Sequence, residues 1–116
     1  MYISIGSFEL KQKRWLPMFL RLSKKILKQA QHSEGNIHAE VASDGIRKFY
    51  SFTCWEQKSD MIHFVHKDAH AMGLEKTKML CKKAELLYFE HDAMMTLETA
   101  KALLKTHPNK RIIEGV

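Results

Sequence analysis

The run Lys48-Phe49-Tyr50-Ser51-Phe52-Thr53-Cys54-Trp55 constrains this chain more than any other segment. Its aromatic and β-branched side chains suit a pleated, buried surface. With the period of two of a strand, one face carries Phe49, Ser51, Thr53 and Trp55, and the other Tyr50, Phe52 and Cys54. Aromatics on both faces leave no obvious water side. A sheet with helices on one face and a second sheet on the other has this character. The run leads directly into WEQKSDMIHFVHKDAH (residues 55–70), which turns helical and carries His63, His66 and His70.

The flanking segments supply a matching set of elements. Met1 to Leu10 is rich in β formers (Tyr2, Ile3, Ile5, Phe8) and reads as a first strand. Leu16, Phe19, Leu20, Ser23, Ile26, Leu27 and Ala30 then follow the spacing of an amphipathic helix, with Pro17 in its first turn and Ser33-Glu34-Gly35-Asn36 at its end. Asn36 to Ser43 is predicted as a second strand, joined through Asp44-Gly45 to a third over Arg47 to Trp55.

Ser59 is predicted to cap a second helix, with Asp60 near its positive end, a core stripe of Ile62, Val65, Ala69 and Met72, and Gly73 ending it. Leu74 to Lys83 is a basic connection, irregular or briefly helical. Ala84 to Glu90 reads as a fourth strand, and Thr96 to Lys105 as a last helix with Leu97, Ala100, Leu103 and Leu104 inward. Asn109 to Val116 is either a short strand or disordered. The order β-α-β-β-α-β plus a C-terminal helix is the split-βαβ, ferredoxin-like α+β arrangement, with one antiparallel sheet in one domain over residues 1–116. Helices cover one sheet face, and a second copy of the sheet, in a homodimer, would cover the other.

Composition narrows the function classes. A chain of 116 residues with 45% hydrophobic and 28% charged residues is an ordinary globular domain. Its net charge of +6 draws attention to Lys11, Lys13, Arg14, Arg21, Lys24, Lys25 and Lys28, which have no acid among them. Within the predicted helix the basic residues fall on the polar face, as a solvated face would place them. No zinc-finger or RNA-recognition spacing supports sequence-specific nucleic-acid binding. Two cysteines, Cys54 and Cys81, form no disulfide framework and read as free thiols in a reducing cytoplasm. The N-terminus lacks the pattern of a signal peptide, and no apolar stretch approaches the roughly 20 residues that span a bilayer. Neither secretion nor membrane insertion is expected. With no P-loop, dinucleotide fingerprint, G-x-S-x-G or H-E-x-x-H, nothing points to a nucleotide-dependent enzyme or a serine hydrolase.

His63, His66 and His70 form H-x2-H-x3-H, which places them on one side of a helix. Metal sites recruit ligands from several elements, and no cysteine or carboxylate is placed to complete this one, so no metal is expected. His70, beside the stripe residue Ala69, is the histidine that would border a pocket. There a neutral imidazole can serve as acid or base, or ligate a haem iron. Trp55 is first a packing residue with an N–H to satisfy, and second a wall for an aromatic ligand.

A strand ending in Trp55-Glu56, followed by an amphipathic helix bearing Phe64 and His70, resembles the antibiotic-biosynthesis monooxygenase-like family of dimeric α+β barrels. The element order extends the likeness from Met1 to about Glu90. The resemblance implies a homodimer with a pocket in each subunit between sheet and helices, and oxygenation of polycyclic aromatics without a cofactor, or haem degradation. The haem-degrading subgroup carries an Asn on the first strand and a Trp in the second helix. Here Tyr2 to Leu10 has no Asn, and the helix position is Phe64. The resulting expectation is a monooxygenase-like protein for a hydrophobic, aromatic small molecule. Phe49, Ser51, Thr53, Trp55, Phe64 and His66 would line the pocket, and His70 would transfer a proton or polarise the substrate. A non-catalytic module for a small ligand or haem is the alternative.

Overall fold

The computed structural model describes residues 1–66 and 76–114. Five strands form one antiparallel sheet: β1 (Tyr2–Leu10), β2 (Asn36–Asp44), β3 (Lys48–Trp55), β4 (Cys81–Glu90) and β5 (Arg111–Glu114). Their order is β2-β3-β1-β4-β5, the ferredoxin-like order with one edge strand added beside β4. The described helices are α1 (Leu16–Gln31), preceded by a 3-10 turn over Lys13–Trp15, α2 (Lys58–Val65) and α3 (Leu97–Thr106). Residues 76–80 are also helical and lead into β4.

Register assigns the side chains to two faces. Tyr2 lies opposite Trp55, Ser4 opposite Thr53, Gly6 opposite Ser51 and Phe8 opposite Phe49, so these residues share one face. That face packs on α1 and α2 in two clusters. Leu10, Phe19, Phe49, Leu80 and Cys81 form one, and Ala30, Trp55, Met61 and Phe64 the other. The opposite face carries Ile3, Ile5, Phe52, Cys54 and Leu87, which pack on Ala100 and Leu104 of α3.

This second face is covered in part from within the chain. The chain's own last helix lies over its apolar half. Thr96 starts α3, its hydroxyl accepting from the Thr99 N–H at 3.2 Å, and Glu98 suits the positive end of the helix. Beyond α3, the polar half of the face holds Glu85. Lys110 pairs with its carboxylate, and Lys83 approaches at 3.8 Å. Burial pushes the Glu85 carboxyl up, but Lys110, Lys83 and Lys48 outweigh it and hold the group below its ordinary range. A carboxyl with a lowered folded pKa stabilises the fold above its unfolded pKa, and that contribution is lost as pH falls through the folded value. Glu85→Gln is therefore expected to melt below the parent at neutral pH. The two melting curves, followed by circular dichroism, should converge in acid; a pH-independent gap would show that the pairing is not the source.

Other boundaries differ by small physical margins. Gln57, with extended backbone, is the N-cap of α2, and Ser59 falls inside the helix, its hydroxyl bonding the Gln57 side-chain oxygen at 3.4 Å. The inward stripe of α2 is Met61 and Phe64, one position earlier than expected, which leaves Ile62 exposed. Leu20 lies at the edge of the α1 stripe and is 46% exposed. β4 begins at Cys81 rather than Ala84, because Cys81 pairs with Leu10 across a register shift in β1. Ala69, Met72 and Gly73 lie outside the described residues.

The turn after α1 is fixed twice over. Gly35 has φ +80°, and an added Cβ would sit 2.1 Å from an Asp60 carboxylate oxygen, so both backbone and packing require glycine. Its carbonyl accepts from the Glu56 N–H at 2.8 Å, which ties the end of β3 to the α1–β2 turn.

Candidate functional site

The helix-covered face has large residues at two ends and small ones between. Phe49 packs on Phe19 with ring centroids 4.9 Å apart, and Trp55 on Phe64 at 5.1 Å. Between them the floor is built from two cross-strand rows. One runs Ala39, Thr53, Ser4, Tyr88, and the next Val41, Ser51, Gly6, Leu86. Short side chains at Ser4, Gly6 and Ser51 cannot reach the helices above, which leaves a partly enclosed cavity of about 110 Å³. Gly6 matters here. A Cβ would approach Leu86 Cδ2 to 2.9 Å and the Phe8 ring to 3.2 Å. The roof comes from Ser23, Ile26, Leu27 and Ala30 of α1 and from Met61, Phe64 and Val65 of α2, with Thr77 also lining the space.

The polar groups of this mainly apolar space are nearly all hydroxyls. Thr53, Ser4 and Tyr88 stand side by side on three neighbouring strands, a spacing of about 4.8 Å per strand. The Trp55 indole N–H donates to Thr53 Oγ1 at 3.0 Å. That bond occupies the oxygen as an acceptor and leaves the Thr53 hydroxyl proton to be donated elsewhere. Burial pushes the Tyr88 phenol up from its ordinary value, opposed by Arg111 and aided by Tyr2, so it stays a neutral donor. Ser4, Ser51 and Tyr88 make no side-chain hydrogen bond to another described residue. The row can therefore offer neutral O–H donors to a ligand oxygen. Glu40 also borders the space, but by register its side chain belongs to the opposite face, where the carboxylate meets His38 Nε2 at 3.1 Å.

The residues singled out in the sequence are distributed as follows. Ser51, Thr53 and Phe64 line the cavity. Phe49 and Trp55 share that strand face but are packed into the clusters at either end, Trp55 with no exposed surface. His66 is the exposed C-cap residue of α2 and is not among the lining residues. His63 is exposed as well. His70 lies outside the described residues. Ser4, Tyr88 and the α1 contributors were not singled out, although the alternation of β1, the run of β4 and the stripe of α1 carry them.

Among the described residues no group of three His, Cys, Asp or Glu side chains converges as a metal site. Haem fits the described cavity poorly. Among the described residues neither His nor Cys lines it, so none of them could serve as an axial ligand there. Both thiols are buried, and burial pushes each up to about 11, so they remain protonated and unreactive.

No protein-family model and no curated protein matches the chain. Solved structures do. A provisionally assigned antibiotic biosynthesis monooxygenase from Deinococcus radiodurans superposes with a TM-score of 0.74 at 15% identity, over 84% of this chain and 98% of the other. The fold is that of the antibiotic biosynthesis monooxygenases. A second such protein, from Nitrosomonas europaea, gives 0.72 at 10% identity over 80% of this chain and all of its own. SnoaB, a cofactor-independent oxygenase from Streptomyces nogalater, gives 0.67 at 10% identity over 83% and 95%. The resemblance read from Trp55-Glu56 and the element order thus holds at the level of architecture. No described helix is long and apolar enough to cross a membrane.

Proposed function

We propose that this protein is a monooxygenase-like enzyme that binds a hydrophobic, aromatic small molecule between its sheet and helices α1 and α2. The observation that carries the reading is the apolar cavity with the hydroxyl row Thr53-Ser4-Tyr88 on its floor. An aromatic ring gains from the apolar walls, and a ring oxygen gains from the neutral donors. Charged ligands find no partner on that floor. The fold shared with a cofactor-independent oxygenase supports chemistry in which the substrate supplies its own electrons. In such a reaction an electron-rich ring carbon is oxidised from CH2 to C=O by O2. One oxygen atom stays in the product, and the other leaves as water with the two hydrogens.

Abstracting the ring proton needs a base. The described lining offers mainly hydroxyls, so His70, the histidine that the sequence pattern singles out, is assigned that role. Tyr88 and Thr53 would hold the oxygen on which negative charge develops. The protein would act as a cytoplasmic homodimer, and light scattering decides the dimer, because a monomer mass at micromolar concentration removes it.

The test is oxygen consumption with a panel of hydroxylated naphthalenes and anthracenes. Uptake with at least one of them, reduced by roughly 100-fold or more in His70→Ala, is the expected result. Binding of the same compounds without oxygen uptake would instead establish the non-catalytic small-ligand module.

A further inference from the structure

We propose that the outward face of α1, with the adjoining residues 76–80, docks on an anionic lipid bilayer surface. Arg21, Lys24, Lys25 and Lys28 are exposed and spaced i, i+3, i+4, i+7, so they form one stripe pointing away from the sheet. Lys13 and Arg14, also exposed, extend it past the N-terminus of the helix. Among the described residues none of these six cations takes part in an ion pair, and no Asp or Glu occurs between Leu10 and Ser33. The stripe is a positive surface with no internal neutralisation.

Charge alone would suit any polyanion, but this surface also carries exposed apolar groups. Met79 is 65% exposed, Leu20 46% and Met18 43%. Met18 and Leu20 flank Phe19, and Met79 precedes Leu80, which shares a core cluster with Phe19. The Lys11 N–H donates to the Leu80 carbonyl at 2.9 Å, and Leu80 packs in one cluster with Phe19, Trp15 and Leu16. Trp15 is half-buried there under the Arg14 guanidinium, 4.9 Å from its ring centroid. Basic side chains beside exposed aliphatic groups, with a tryptophan at the boundary, match an interfacial surface. The cations meet lipid headgroups, and the apolar groups enter the acyl boundary. Phosphate backbones would use the cations but gain nothing from Met18, Leu20 and Met79, and the stripe offers no outward aromatic platform for bases. The inference does not depend on the cavity chemistry, although α1 roofs that cavity.

Sedimentation of the full chain with vesicles tests it. Vesicles of phosphatidylcholine mixed with phosphatidylglycerol should retain the protein at low ionic strength, vesicles of phosphatidylcholine alone should not, and added salt should release it. Arg21→Glu with Lys25→Glu is expected to lower partitioning by at least about tenfold. Leu20→Ser with Met79→Ser, which leaves the charge unchanged, is expected to lower it several-fold. All four positions are exposed, and circular dichroism melts confirm that the variants fold. Failure to bind the mixed vesicles at low salt overturns the proposal. So does binding that the serine pair leaves unchanged, or a duplex oligonucleotide that strips the protein from the vesicles, since each marks a purely electrostatic surface.

Discussion

Trp55→Ala is expected to cost about 3–5 kcal/mol of folding stability, read from urea unfolding followed by circular dichroism. Trp55 has no exposed surface and closes the cluster that holds Ala30, Met61 and Phe64 against the sheet. Removing the indole opens a void beneath α2, whose buried residues Met61 and Phe64 both belong to that cluster. Against a typical total of about 5–15 kcal/mol, the loss leaves a marginal protein. Trp55→Phe separates the two roles of the side chain. It keeps most of the apolar contact but deletes the N–H that Thr53 Oγ1 accepts at 3.0 Å. That change should cost about 1 kcal/mol and free the Thr53 hydroxyl to turn, so ligand affinity falls more than stability does. A Trp55→Ala cost below about 1 kcal/mol would show that the cluster is not a core.

The fold was legible because its signals agreed. The alternation in β1 and β3, the α1 stripe and Asp44-Gly45 each named one element, and together they named the ferredoxin-like order. What the sequence left hidden were choices made by neighbours. Ile62 and Met61 are adjacent and both apolar, and only the direction from which the sheet approaches decides that Met61 turns inward. Cys81 reads as part of a basic connection until Leu10 pairs with it. Phe52 and Cys54, on the second face of β3, are met by Ala100 and Leu104, which lie far along the chain and are not signalled by β3 itself. The cavity was harder still. Ser51 and Thr53 stand out within β3, but a void exists only where Ser4, Gly6 and Ser51 fall into adjacent rows, and register is a property of pairs of strands. The histidines drew attention as chemistry-bearing residues, yet His63 and His66 are exposed, and the polar groups of the floor are hydroxyls.

Ser51→Leu is expected to abolish small-molecule binding while leaving the fold intact. Ser51 sits in the middle of the floor between Val41 and Gly6, and its side chain faces the space beneath α1 and α2. A leucine there grows into existing space rather than into packed atoms, so it adds apolar contact with little strain. Its effect on stability should lie between neutral and a gain of about 1 kcal/mol. The same side chain takes a large share of a cavity of only about 110 Å³, which leaves too little room for an aromatic ring. Affinity for the aromatic panel should fall by on the order of a hundredfold or more, because a bound ring would have to displace a buried leucine or part the helices. Isothermal titration measures the affinity, and urea unfolding measures the stability. The paired result is what discriminates. Lost binding in a protein at least as stable as the parent assigns the ligand to this cavity. Unchanged binding in an equally stable Ser51→Leu protein would move the ligand elsewhere and remove the observation on which the oxygenase reading rests.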